Sequence, residues 1–208
     1  MDDLINIIKQ LKNSEIKKVI DNRIKEFAQI QNDSIDKIFK ELCFCVMTAN
    51  CSANKCIEIH EEIGNDFLIL SQTLLAEKFK ELGYRFPNIR SQYIVDNRSI
   101  LNELEKILKS HKDRNQLRDW LVKEIKGIGY KEASHFLRNI GYKDYAIIDF
   151  HIIDLLVKHS LIQKPKTMTK KKYLELEEIL KDIGKKVDLN MAQLDLYLWY
   201  LETGKILK

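Results

Sequence analysis

Apolar residues recur three and four positions apart along almost the whole chain, the spacing that gathers them on one face of an α-helix. Leu4, Ile7, Ile8 and Leu11 predict a first helix, and Ile38, Phe39, Leu42, Cys43, Val46 and Met47 another. Leu101, Leu104, Ile107 and Leu108 line a third, Trp120, Leu121 and Ile125 a fourth, and Tyr173, Leu176, Ile179, Leu180 and Ile183 a fifth. The run through Leu194, Leu196, Tyr197, Leu198 and Leu201 is apolar enough for a buried helix. Breaks fall at Gly64-Asn65-Asp66, Gly83, Pro87, Gly127 to Gly129, Gly141, Pro165 and Gly184. Strand-like alternation of useful length is missing; only the short Tyr145 to Ile148 stretch reads as extended. The pattern predicts an all-α protein.

Composition supports this. Seven glycines and two prolines in 208 residues are too few for the tight corners of an all-β fold. The 35 basic and 31 acidic side chains leave a net charge of +4, which permits a polyanionic partner without requiring one. No run of apolar residues is long enough to span a membrane. The opening MDDLINIIKQ lacks the basic and long apolar regions of a signal peptide, so a cytoplasmic location is expected. Cys43, Cys45, Cys51 and Cys56 follow a C-x-C-x5-C-x4-C pattern that does not match the usual zinc pairs. They are expected to be buried apolar side chains, with no metal and no disulfide. The basic run Lys170-Lys171-Lys172 predicts a solvated helix start capped by Thr167 or Thr169, a phosphate contact being the alternative.

The segment richest in chemistry is Lys126-Gly127-Ile128-Gly129-Tyr130-Lys131, set between two helical patterns. Two glycines flanking one aliphatic residue suit a tight turn between helices, where the backbone can approach a ligand closely. The amides opening the second helix, at its positive dipole end, suit a phosphate; an ordinary helical hairpin is the bland alternative. Lys131 falls in the first turn of that helix, as a phosphate contact or a nucleophile. A lysine side chain ordinarily titrates near 10.4, so attack requires an environment that frees the amine. Asp149 stands in the apolar AIIDFHI stretch, where a carboxylate needs a partner or a function; a helix N-cap is compatible with both.

Together these elements resemble the helix–hairpin–helix DNA glycosylase superfamily, through IKGIGYK and IIDFH. The Asp149-x-His151 pair resembles the 8-oxoguanine glycosylases, and VMTANCSANK resembles a superfamily helix start with Asn50 at the glutamine position. With the closing DLYLWYLETGKILK, the chain is most similar to the short prokaryotic 8-oxoguanine DNA glycosylase/AP lyases, over nearly its whole length. Relatives often carry a basic residue where this chain has Phe150. No cysteine follows Asp149, which argues against the iron–sulfur branch typified by endonuclease III.

The resemblance implies two helical lobes with the hairpin at the cleft: residues 32–138 as one, residues 1–31 with 139–208 as the other. It implies a monomeric, nucleoid-associated enzyme without a cofactor, acting on double-stranded DNA that contains 8-oxoguanine. Lys131 attacks C1′ of a flipped nucleotide and Asp149 assists. Lys126, Gly127, Gly129 and His151 are expected to hold the phosphates, and Asn50 to fill the place beside the orphaned base, a polar cap or turn residue being its alternative. Phe86 and Trp199 are candidates to stack on the flipped base, with core packing as the alternative for each. Asp195 and Lys208 are candidates for the same pocket, Lys208 through the carboxylate of a last residue; a helix-surface carboxylate and a frayed tail are the respective alternatives. A glycosylase for another lesion and a non-catalytic hairpin module are the competing readings.

Overall fold

The computed structural model describes residues 1–110 and 114–208. Among these, all regular structure is helical: α1 (Asp2–Lys12), α2 (Ile16–Ile30), α3 (Ile35–Thr48), α4 (Ala53–Ile63), α5 (Asp66–Ile69), α6 (Gln72–Glu81) and α7 (Pro87–Asn97). There follow α8 (Leu101–Ser110), α9 (Arg114–Glu124), α10 (Tyr130–Asn139), α11 (Phe150–Lys158), α12 (Lys170–Val187) and α13 (Met191–Thr203). The all-α expectation holds. No helix is long and apolar enough to cross a membrane among the described residues.

The chain divides into two compact units. One comprises Met1–Gln29 and Leu137–Leu207; the other comprises Ile30–Phe136, joined by Lys208. In the first unit α1 and α13 pack on α12, and α11 packs on α13. Ile20 and Phe27 of α2 close over Leu196 and Tyr197. Thr169 caps α12 through the Lys172 amide, one of the two caps expected.

The Tyr145–Ile148 stretch has no strand partner among the described residues, yet its side chains are buried. Buried backbone polar groups need partners, and α12 supplies them. Glu177 accepts from the Ala146 amide at 3.1 Å. The Tyr173 hydroxyl accepts from the Ile148 amide at 3.1 Å and donates to the Ala146 carbonyl at 2.7 Å. Two α12 side chains thus replace a sheet ladder and hold the approach to Asp149 rigid.

In the second unit α3 is the central helix. Its residues from Glu41 to Thr48 are buried all round, with α4, α5, α7 and α8 packed against the helix. Cys43, Cys45 and Cys56 are fully buried free thiols, whereas Cys51 is only half-buried. Burial pushes the Cys43 thiol well above its ordinary range. Glu41 is a buried carboxylate on this helix, neutralised by Lys208 Nζ at 2.5 Å, which also lies 4.8 Å from the Phe44 ring centre.

His60 leans on the same ring and donates from Nε2 to the Lys40 carbonyl at 2.8 Å. Burial first, and then the Lys208 charge, pull its pKa from 6.5 down to about 3. Below pH 6.5 the unfolded chain therefore binds a proton that the folded one refuses, so this residue costs stability as pH falls towards 3. His60 keeps some contact with solvent, so the loss is on the order of 1 kcal/mol between pH 6.5 and about 5. Thermal melts should show the wild type losing its margin over H60Q across that interval. A margin that does not change with pH would exclude His60 as the titrating group.

Candidate active site

In the second unit, Ile125–Gly129 form the turn between α9 and α10. Gly127 has φ +88°, a backbone region that glycine enters without strain, and a Cβ there would run into the Tyr93 ring. Ile128 is 9% exposed and anchors the turn in the core. Gly129 opens α10, its carbonyl accepting from the Ala133 amide at 2.9 Å.

The hairpin is held from α7. Asn97, almost wholly buried, grips both backbone groups of Lys126: Nδ2 donates to the carbonyl at 3.0 Å and Oδ1 accepts from the amide at 2.9 Å. Asp96 accepts from Lys126 Nζ at 2.9 Å, and that hydrogen bond holds its carboxyl below the usual range. Arg90 donates to the Gly127 carbonyl at 3.4 Å and to the Ala49 carbonyl at 3.3 Å. Beside Ala49, Asn50 turns the chain with φ +59°, and Arg85 donates to its carbonyl at 3.2 Å. One helix and its approach therefore tie the Asn50 turn to the glycine hairpin. Phe86 precedes α7 half-buried, with the Arg85 guanidinium 4.9 Å from its ring centre.

Lys131 is the second residue of α10, and its side chain is 25% exposed. Its Nζ lies 3.8 Å from Glu132 Oε1, while Glu132 Oε2 accepts from the Gly129 amide at 3.1 Å. Burial, and then the neighbouring Cys51, push the Cys56 thiol far up, against a smaller opposing pull from Lys131 and Arg90. The sulfur therefore stays protonated and is no rival nucleophile.

In the first unit, Asp149 is the N-cap of α11, accepting from the Ile152 amide at 3.0 Å. Phe150 follows with 65% of its surface exposed. Its ring centre lies 3.9 Å from that of His151, which meets Trp199 edge-on at 4.9 Å. The Trp199 indole nitrogen is buried with no hydrogen-bond partner among the described residues, a donor left without a protein acceptor. Asp195 lines a small, mostly apolar recess with Ile147, Met191 and Leu198. Its carboxylate also pairs with the buried Arg138 at 2.9 Å.

The structure gathers Asn50, Lys126, Gly127, Gly129 and Lys131 in one unit, with Phe86 and Lys208. Asp149, His151, Asp195 and Trp199 belong to the other. Sequence reasoning missed Glu132, Asn97, Arg90, Tyr173 and Glu177. Only Glu132 left a local signal, a glutamate three residues beyond an N-capping glycine.

Comparison with known proteins identifies the scaffold. A family model described as 8-oxoguanine DNA glycosylase matches residues 20–189. The 8-oxoguanine DNA glycosylase/AP lyase of Methanocaldococcus jannaschii is 53% identical over 206 residues, 99% of each chain. That of Korarchaeum cryptofilum is 47% identical over 209 residues, covering 100% of this chain and 99% of its own. The crystal structure of the Methanocaldococcus jannaschii enzyme in complex with a 15mer DNA containing 8-oxoguanine matches with a TM-score of 0.96 at 52% identity, over 99% of both chains. Similarity at this level, running through the hairpin and the Asp149 cap alike, means that the chain belongs to the 8-oxoguanine DNA glycosylase family.

Proposed function

We propose that this protein is a bifunctional DNA glycosylase/AP lyase that removes 8-oxoguanine from double-stranded DNA. The observation that carries the reading is Lys131, a largely shielded amine in the first turn of the helix that a glycine hairpin opens. Phosphate binding alone needs no shielded amine and no distant capping carboxylate, which disfavours a non-catalytic module.

C1′ is inaccessible in a stacked duplex, so the damaged nucleotide is flipped out, at an unstacking cost of a few kcal/mol. The hairpin backbone at Gly127 and Gly129, Lys126 and His151 hold the phosphates, and Asn50 stands beside the orphaned base. Asp149 takes a proton from Lys131 and stabilises positive charge as it grows on the sugar. The Lys131 nitrogen bonds to C1′ while the C1′–N9 bond breaks, its electron pair leaving with the base, which gains a proton. The resulting aminal opens as its C1′–O4′ bond breaks and O4′ takes a proton, which leaves an iminium; this loses a proton from C2′, and the C3′–O bond breaks with the electrons going to the phosphate. Phe86 and Trp199 stack on the base, each such contact worth about 1–3 kcal/mol. The buried indole N–H is free to meet an acceptor on it. Asp195 is already paired to Arg138, and Lys208 to Glu41.

The test is borohydride trapping on duplexes carrying 8-oxoguanine, uracil, hypoxanthine or unmodified guanine. A covalent adduct should form with 8-oxoguanine and not with guanine. An adduct confined to another lesion would reassign the substrate. Salt-dependent binding with no adduct anywhere would leave only the hairpin module.

A further inference from the structure

We propose that Glu132 is an internal stand-in for a DNA phosphate: its carboxylate occupies the Gly129 amide in the free protein, and strand binding displaces it. The role depends on the phosphate-binding hairpin proposed above and adds to it a residue that positions the nucleophile.

The two oxygens of this one carboxylate face the two groups that DNA must engage. Oε2 accepts the Gly129 N–H at 3.1 Å, and Oε1 looks to Lys131 Nζ at 3.8 Å. The side chain is 15% exposed and stands at the third position of α10, where the helix dipole favours an anion. A phosphate oxygen seeks the same N–H for the same reason, and one N–H cannot serve both. The neighbouring amide of Lys126 gives no substitute, because Asn97 Oδ1 holds it at 2.9 Å. The Lys126 ammonium is likewise held by Asp96 at 2.9 Å. In the free protein, then, both a phosphate-binding amide and a DNA-facing cation are matched by internal carboxylates. This keeps the hairpin formed and Lys131 in place before DNA arrives, and it opposes capture by stray anions. The cost is a weaker hold on DNA.

A plain capping role makes a different forecast. Glutamine still caps, so Glu132→Gln keeps the helix start, but its neutral oxygen is a weaker acceptor than a carboxylate and yields the Gly129 amide to a phosphate more easily. Binding to a duplex with a tetrahydrofuran abasic analogue, followed by fluorescence anisotropy, separates the two. Glu124→Gln serves as the control, since Glu124 is an exposed carboxylate at the end of α9. E132Q should bind about fivefold more tightly at both about 50 mM and about 300 mM salt, because competition for one donor is local, whereas any gain from E124Q is screened away at the higher salt. In protein with isotope-labelled glycine amides, the Gly129 resonance should shift on E132Q substitution and shift again when DNA binds. Unchanged affinity, tightening that vanishes with salt as in the control, or a Gly129 resonance that DNA leaves unmoved would overturn the role of Glu132. A wild-type protein that binds DNA but gives no borohydride adduct would instead overturn the enzymatic reading, with the affinity comparison still deciding on Glu132.

Discussion

Replacement of Lys131 by glutamine should abolish borohydride trapping and lower base excision and strand cleavage by about a thousandfold or more, because no other group supplies the electron pair for C1′. The fold should survive. The amine contributes one ion pair at 3.8 Å, and such a contact is worth on the order of 1 kcal/mol or less. The melting temperature should accordingly move by no more than about 4 °C. DNA binding should also persist, since the hairpin is built by Asn97, Arg90 and the glycine conformation, none of which needs Lys131. The informative result is therefore a folded protein that binds lesion DNA and cannot be trapped. A persistent adduct in K131Q would transfer the nucleophile to another amine, and a loss of binding together with trapping would make Lys131 a phosphate contact.

The hairpin was legible because its demands are local. A positive φ at Gly127 and a turn too tight for side chains are written in a Gly-x-Gly spacing, and the helical periods on either side mark its limits. Asp149 was legible as a cap for the same reason. The supports were not. Asn97 reaches the Lys126 backbone from 29 residues away, and Glu177 reaches the Ala146 amide from 31. Each sits in an amphipathic helix whose periodicity says only that one face is buried. Which buried polar side chain faces which unpaired backbone group depends on how the helices pack, and period alone does not encode that. Arg138 and Asp195 make the same point. Asp195 reads equally as a pocket or a helix-surface carboxylate until Arg138, 57 residues earlier, is seen to pair with it.

Asp149 is where cap and catalyst must be separated, and two substitutions do it. The side chain accepts the Ile152 amide at 3.0 Å from an extended backbone at φ −105°, ψ −173°, which is the geometry of an N-cap. Asparagine caps as well as aspartate, so D149N retains the hydrogen bond and loses only the charge and the proton acceptor. Its melting temperature should stay within about 2 °C of the wild type. Excision should nevertheless fall by about a hundredfold to a thousandfold, the loss expected when one preorganised charge is removed from a developing cation. D149A loses the cap as well. It should be equally impaired in excision and also less stable by about 1 kcal/mol, a fall of roughly 2–4 °C in melting temperature. The pair is decisive because stability and rate move independently. Equal activity in D149N and wild type would reduce Asp149 to a helix cap. A D149N variant as unstable as D149A would mean that the carboxylate's charge, rather than its hydrogen bond, holds the start of α11.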